Sequence, residues 1–502
     1  MQALSTSPSS SVAQSQTIAA AQAFAQQLND ATNSIQSLRS QADQGIAGDV
    51  QQANNALQQI ATLNQQLAGA GGADAMSAQL ESQRDQYIDQ LSKLMDIRVV
   101  QNGDNQVSVF TGSGAQLIGA QASQLNFNPT GTVYAQQQWN ADPTKSTLGT
   151  ISLTLPGGGS VDLVASGAIR SGEIAGYLNM RDNVLVQAQG QLDQIAAQMS
   201  NALSDTTTAG TAVTGGFDAD IGGLSNGNTI QVSYTDGSSV QHNVTIVRVD
   251  DPSALPLSNT STSDPNDTVI GVSFSGGAAA VATRLNTALS AAGLQFSNPS
   301  GSLLEVVDSG SPAITVNAVS TTATATSLTG GSVPLALFVD GAAPFTGAFT
   351  AGGPESTGYA GRIAVNSALL ADPSKLVTYQ TSPQTPAGDA TRPNFIYNQL
   401  VNASLEYSPA AGIGGTGAPF QGTLEAYMGQ MVSTQSTAAN AASNLQAGQD
   451  IVVNALQSRF NSTSAVNIDT EMAHLLTLQN AYGANARVMS TVKAMLDTLL
   501  QM

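Results

Sequence analysis

The chain has 502 residues, enough for roughly three to four domains at ~150 residues each and for at least one buried core. Its 15 Lys+Arg stand against 34 Asp+Glu, a net charge of −19, yet charged residues make up only 10% of the chain, against a usual ~25%. With a pI near 4.1 and four lysines there is no basic stripe to neutralise nucleic-acid phosphates or an anionic membrane surface, so neither partner is expected.

The absence of cysteine excludes disulfide staples, thiolate metal sites and thiol catalysis. No window approaches the ~18 consecutive apolar residues of a membrane span. Met1 to Ser11 lacks the basic and apolar regions of a cleavable secretory signal, so any export is expected to use another route.

The first elements are helical in pattern. Apolar or small residues recur every three or four positions at Phe24, Leu28, Ala31, Ile35, Leu38, Ala42, Ile46, Val50, Ala53, Leu57, Ile60, Asn64 and Leu67. At ~1.5 Å per residue this predicts a helix roughly 65 Å long. Three successive four-residue steps from Leu38 to Val50 bracket Gly45 and Gly48, where the seam is expected to unwind or bend. Gly69, Gly71 and Gly72 end it, and a second run with Leu80, Tyr87, Leu91 and Leu94 reads as its hairpin partner. Ile97–Gln101 and Val107–Phe110, around Asn102-Gly103, read as two strands on a tight turn. Ile174 to Leu203 is a third helical stretch.

From about Thr206 to Gly361 the text turns to Gly, Ser, Thr and Val. Alternating runs at Thr229–Tyr234 and Val244–Val249 are separated by Asp236-Gly237, and one helical island spans Ala278 to Leu289. Helix resumes at Thr423 and continues past Arg459. At the end, Ile468, Leu475, Tyr482, Met489 and Leu496 fall seven apart, flanked by Met472, Leu478, Val492 and Leu499. A broad apolar face of this kind needs a partner.

The expected class is therefore α+β and multidomain: a long axial helical bundle or coiled-coil rod with an inserted β-rich outer domain. The divisions are 1–130, a helical rod part with a β-hairpin; 131–164, a β-rich excursion; 165–215, the second rod part; 216–355, the outer insertion; 356–460, return loops and the third rod part; and 461–502, the axial C-terminal helix.

Catalytic signatures are scarce. His242 and His474 are the two histidines, and no second His lies four residues from His474, so a zinc helix of the H-E-x-x-H type is absent. Lys93, Lys145, Lys375 and Lys493 are never preceded by Gly, which excludes a Walker A loop, and no G-x-S-x-G elbow occurs. Gly412 to Gly417 satisfies G-x-G-x-x-G but lacks the strand before it and the helix after it, so a loop is expected. Asp218 and Asp220, or Asp264 and Asp267, lack the calcium-loop spacing and read as solvated turns. The expectation is a protein that is not an enzyme and holds no cofactor or metal.

Particular segments carry a resemblance. Val466 to Met472, Gln479 to Tyr482, Ala486-Arg487-Val488 and Met495 to Leu500 resemble the C-terminus shared by bacterial flagellar rod, hook and hook-associated proteins. Gln83-Arg84-Asp85-Gln86, Ser171 to Gly176 with Arg181-Asp182, and Gly361 to Asn366 resemble the hook-associated protein 1 family in particular. The similarity covers about residues 10–120, 165–205 and 360–502. The family's N-terminal rod-like helix, with its Asn-Thr-Pro-Gly-Tyr type motif, is not found here, so the partner of the C-terminal helix is expected to be missing.

The resemblance implies an extracellular structural adaptor at the hook–filament junction, exported through the flagellar type III pathway. Its implied partners are further copies in a ring-like oligomer, the hook protein, the other junction protein and an export chaperone. Ile468, Met472, Leu475, Leu478, Tyr482, Met489, Val492, Leu496 and Leu499 would form the subunit and chaperone contact. The alternatives are a hook or filament subunit, or a surface adhesin with a glycan-binding module.

Overall fold

The computed structural model describes residues 2–464 apart from 70–74, 104, 265, 311–313 and 416, together with Gln479 and Met489. The chain falls into two compact units, Met1–Met431 and Val432–Met502.

The first unit opens with α1 (Gln2–Thr6), α2 (Ser11–Gly69) and α3 (Ala75–Leu94). Ser10 caps α2, its hydroxyl accepting the Ala13 N–H at 3.3 Å, and the helix then runs proline-free through Ala, Gln and Leu to Gly69. A three-stranded antiparallel sheet follows in the order β1 (Ile97–Gln101), β2 (Val107–Thr111), β3 (Gln116–Ile118). A second comprises β4 (Gln124–Asn126), β5 (Ser152–Thr154) and β6 (Ser160–Asp162). Gln101 pairs with Val107, so Asn102-Gly103 begins a five-residue loop rather than closing a two-residue turn. The loop is held from outside, by Arg84 donating to the Asn105 carbonyl at 2.6 Å.

The third helical stretch is α4 (Glu173–Asn179), a π turn at Met180–Val184, and α5 (Leu185–Ser204). Then comes the β-rich excursion: β7 (Asp205–Ala209), β8 (Thr211–Val213), β9 (Gly216–Asp220), β10 (Thr229–Thr235), β11 (Gln241–Arg248), β12 (Asp267–Val272), α6 (Gly277–Ala288), β13 (Leu294–Ser297), β14 (Leu303–Asp308) and β15 (Thr315–Thr324). Two sheets, ordered β12-β11-β10-β15-β7 and β13-β14-β9-β8, share one core with α6. Ile230, Val232, Val244 and Ile246 of the first, Leu304 and Val306 of the second, and Val281 and Leu285 of α6 are buried together. Both strand runs read from alternation lie in this excursion as β10 and β11, paired antiparallel from Thr229↔Val247 to Thr235↔Gln241.

The chain re-enters the body through β16 (Phe338–Asp340), β17 (Ala343–Pro344), β18 (Phe349–Thr350), β19 (Gly353–Pro354), β20 (Ile363–Val365), α7 (Ser367–Ala371), α8 (Thr391–Val401), β21 (Leu405–Tyr407), β22 (Gly414–Gly415) and β23 (Ala418–Gly422). The last element among the described residues is α9 (Leu424–Ser464).

The rod expectation is overturned. The chain is mixed α+β with several small sheets, and among the described residues there is no long axial coiled-coil bundle. α2 has the reach of a rod helix, but a succession of short elements covers its buried stripe. Ile18, Ala21, Ala25 and Leu28 pack with Leu192, Ile195 and Met199 of α5 and with Tyr359 and Ile363 of the return. Ile46, Val50, Leu57 and Ile60 pack with Leu91 and Leu94 of α3, Leu178 of α4, and Val109, Leu117, Leu125 and Leu153 of the first two sheets.

The reason lies partly in asparagines on that face. Asn64 is buried, donating to the Val107 carbonyl at 2.7 Å and accepting the Val107 N–H at 3.1 Å. Asn54 does the same to Leu125, at 2.8 Å each way. Both amides satisfy strand backbone that would otherwise be buried unpaired, so this face receives sheet where a coiled-coil seam would receive helix knobs. Helix continues through Gly45 and Gly48, and Gly45 has a packing role: a Cβ there would stand 2.7 Å from the Tyr177 ring.

Candidate functional site: a buried joint and an exposed helix face

Among the described residues this charge-poor chain buries four arginines, Arg39, Arg84, Arg181 and Arg392. Two of them build a joint. Arg39 and Asp43 lie one turn apart on α2, and Arg181 is the second residue of the π turn between α4 and α5. A π turn widens the helix by one residue, an irregularity often found at functional sites. The Arg181 guanidinium is fully buried. It donates to Asp43 Oδ1 at 2.7 Å, to both Asp182 oxygens at 2.7 and 2.9 Å, and to the Gly149 carbonyl at 3.0 Å. Burial by itself would lower its pKa; the hydrogen bonds and charges of Asp182 and Asp43 outweigh that and hold it above the ordinary value.

Asp43 Oδ2 in turn accepts the Thr130 and Gly131 N–H groups. Arg39 completes the joint, donating to the carbonyls of Arg181, Tyr134 and Gln137 at 3.0, 3.1 and 2.7 Å; burial pushes its guanidinium down to about 10. Three segments, from α2, the 130–149 loop and the π turn, are thus fixed by charge-assisted bonds that tolerate little displacement.

Two more anchors hold the returning chain. Asp193 of α5 is buried and accepts the Gly358 N–H at 2.7 Å, the Ala360 N–H at 2.9 Å and the Gln189 amide at 2.9 Å. Burial raises its carboxyl to about 6 against these hydrogen bonds, which favour the ionised form. Arg362 pairs with Asp340 at 2.7 Å, and that hydrogen bond raises the guanidinium. Arg392 at the start of α8 is caged by five carbonyls, those of Leu328, Ser332, Val333, Lys375 and Thr378, and burial lowers it to about 10. Of the segments singled out by resemblance, one contains Arg181-Asp182 of the joint, one contains Arg362 of the return-chain anchors, and one contains Arg84, which holds the β1–β2 loop through the Asn105 carbonyl. Sequence reasoning missed Arg39, Asp43 and Arg392. The available signal was charge falling beside an apolar stripe in a chain that has little charge.

A polar groove of about 550 Å³ opens beside the joint, lined among others by Arg39, Asp182, Gln187, Asp193 and Thr357. Among the described residues no group of three or more His, Cys, Asp or Glu could hold a metal ion, and no helix is long and apolar enough to cross a membrane. Gly412, Gly414 and Gly415 of the glycine run lie in a tight hairpin. Gly412 has φ 74° after a 3₁₀ turn, and β22 pairs with β23 through Gly414↔Pro419. His242 is half-exposed on β11, 2.9 Å from Asp236 Oδ2, while Asp236 Oδ1 accepts the Ser238 and Val240 N–H groups of its own turn. His474 lies outside the described residues.

α9 has a different surface. It begins with Leu424 and Tyr427 buried, and from Val432 to Leu456 its large apolar side chains are exposed: Leu445 at 65%, Ile451 at 70%, Val452 at 50% and Leu456 at 61%. Leu445, Val452 and Leu456 are spaced by seven and four, so they share one helix face. Of the nine C-terminal positions read from the heptad, Met489 is described, helical and exposed. Ile468, Met472, Leu475, Leu478, Tyr482, Val492, Leu496 and Leu499 lie outside the described residues.

Comparison with known proteins gives these features a context. Residues 1–221 match the helical domain of the flagellar hook-associated protein FlgK, and residues 457–502 match the C-terminal segment of the flagellar basal body rod FlgEFG proteins. The flagellar hook-associated protein 1 of Escherichia coli K12 is 25% identical over 482 residues, covering 94% of this chain and 74% of that protein. Its counterpart in Salmonella typhimurium is 25% identical over 492 residues with the same coverage. The solved flagellar hook junction protein FlgK from Burkholderia pseudomallei aligns over 63% of this chain and 53% of its own, with 19% identity and a TM-score of 0.32. The chain thus spans about half the length of that solved relative.

These matches define a structural protein of the bacterial flagellum. Within that class, the chain belongs to the flagellar hook-associated protein 1 family.

Proposed function

We propose that the chain is a non-enzymatic adaptor placed between hook and filament outside the cell, delivered by the flagellar type III route and working by subunit packing. It carries no catalytic residue and needs no cofactor. Its neighbours are further copies of itself in a ring-like layer, the hook protein and the second junction protein. Before export, a flagellar chaperone covers the apolar C-terminal positions Ile468, Met472, Leu475, Leu478, Tyr482, Met489, Val492, Leu496 and Leu499.

The observation that supports this reading best is the exposed face of Leu445, Val452 and Leu456 on α9. Apolar side chains gain about 25 cal/mol per Å² when covered, and exposed runs of them mark contact surfaces. The sparse charge on the surrounding helix, Gln, Asn, Ser and Ala, lets copies pack without burying unpaired ions.

The test is a double substitution, Leu475→Asp with Leu496→Asp, in the full chain. The expected result is loss of chaperone pull-down and of filament attachment, with hooks retained and the purified body still folded. Normal attachment overturns the assignment. Fluorescent labelling supplies the second arm: signal confined to the base of the filament supports an adaptor, and signal spread along the shaft makes the protein a hook or filament subunit.

A further inference from the structure

We propose that Asp49 of α2 and Glu173 of α4 form an acid-tightened latch: with Asp49 neutral the Tyr177 ring stays seated on Gly45, and with Asp49 ionised the α4 side of the contact loosens. Asp49 is only 5% exposed, and its Oδ2 has no hydrogen-bond partner. It lies one helical turn beyond Gly45, the residue on which the Tyr177 ring rests so closely that a Cβ would come within 2.7 Å of two ring carbons. Tyr177 follows Glu173 by one turn of α4, its hydroxyl 3.5 Å from a Glu173 oxygen.

A buried carboxylate with an orphaned oxygen and a like charge nearby is destabilised relative to its protonated form. Burial, reinforced by the Glu173 charge, pushes the Asp49 carboxyl up to about 6 from its ordinary 3.8. The other charged groups on the elements around it do not relieve it. Asp43 on α2 is bound to Arg181, Asp96 just past α3 accepts the Arg170 N–H, Lys93 near the end of α3 is exposed, and β4 carries no ionisable residue.

The sign follows from a carboxyl raised by folding: the latch contributes fully below about pH 4 and is lost as pH rises through about 6. Asp193, equally inaccessible, meets three donors, whereas Asp49 Oδ2 meets none.

Hydrogen exchange of the amides at 172–180 in the full chain, corrected for the intrinsic pH dependence of exchange, tests the latch between pH 5 and pH 8. Opening of this segment is expected to rise on the order of tenfold, the change that one pKa unit of coupling produces, with a midpoint near pH 6. Asp49→Asn should remain protected at pH 8, and Glu173→Gln should move the midpoint down. Gly45→Ala should unseat the ring at every pH. Flat protection across the range, or an Asp49→Asn profile identical to the parent at pH 8, overturns the latch. So does closure of the parent at pH 8 by millimolar calcium, since the orphaned oxygen then belongs to a cation bridge. If Asp49→Asn fails to fold, the shift of the midpoint in Glu173→Gln decides.

Discussion

α2 and α9 are both long helices rich in Ala, Gln, Asn and Ser, with apolar residues three and four apart, yet their stripes have opposite fates. On α2, Ile46, Ala53, Leu57 and Ile60 are completely buried, and a polar joint is set into the same helix at Arg39 and Asp43. On α9 beyond Val432, Leu445, Val452 and Leu456 are exposed. Periodicity alone therefore reports that a helix has a contact face without saying what the face meets. On α2 the partners are short helices and strand edges of the same chain; on α9 the described residues of the face are exposed.

The sharpest way to break this contrast is to remove the ion pair on the buried side. Arg181→Ala leaves the buried Asp43 without its ion-pair partner and should cost about 3–5 kcal/mol, seen as a large fall in the urea midpoint of the body. Leu57→Ala creates a cavity between α2, α3 and the first two sheets and should cost about 2–5 kcal/mol by the same measurement.

A smaller effect is expected from pH. Burial raises Asp193 and Asp205 to about 6, so each adds stability that is present below about pH 4 and lost as pH rises through about 6. The body should accordingly resist urea better at pH 5 than at pH 7, the reverse of ordinary acid denaturation. A midpoint that falls steadily from pH 7 to pH 5 refutes it. Least of all should come from α9: Leu445→Ala and Val452→Ala are expected to change the urea midpoint by no more than the equivalent of about 0.5 kcal/mol, because neither side chain is covered. A drop comparable to that of Leu57→Ala would erase the distinction between the two helices.

Much of this was legible from local pattern. The periods of α2, α3, α5, α6 and of β10 and β11 depend on neighbours three, four or two residues away, which the text displays directly. What could not be read were the partners. Asp43 and Arg181 are 138 positions apart, and the π turn that brings them together leaves no periodic trace. Arg392 looks like an ordinary helix-start arginine until five carbonyls from two distant loops converge on it. Asn64, on a stripe position, reads as a tolerated polar residue, whereas its amide is what docks β2. The coiled-coil expectation failed on this point, since a stripe interrupted by strand-binding amides suits a mixed α+β core.

One attachment has a consequence for how the molecule can vary. The excursion leaves the body at Ser204-Asp205 and rejoins it at Thr324-Ala325, where the Ala325 N–H meets the Ser204 carbonyl at 2.8 Å and the Thr324 hydroxyl meets Asp205. Its two ends are therefore neighbours, and its apolar core is its own. Such a socket allows one module to be exchanged for another of different size or surface, because closing a short bridge between adjacent ends costs little chain entropy. The excursion can therefore be lengthened or resurfaced while the joint keeps its geometry.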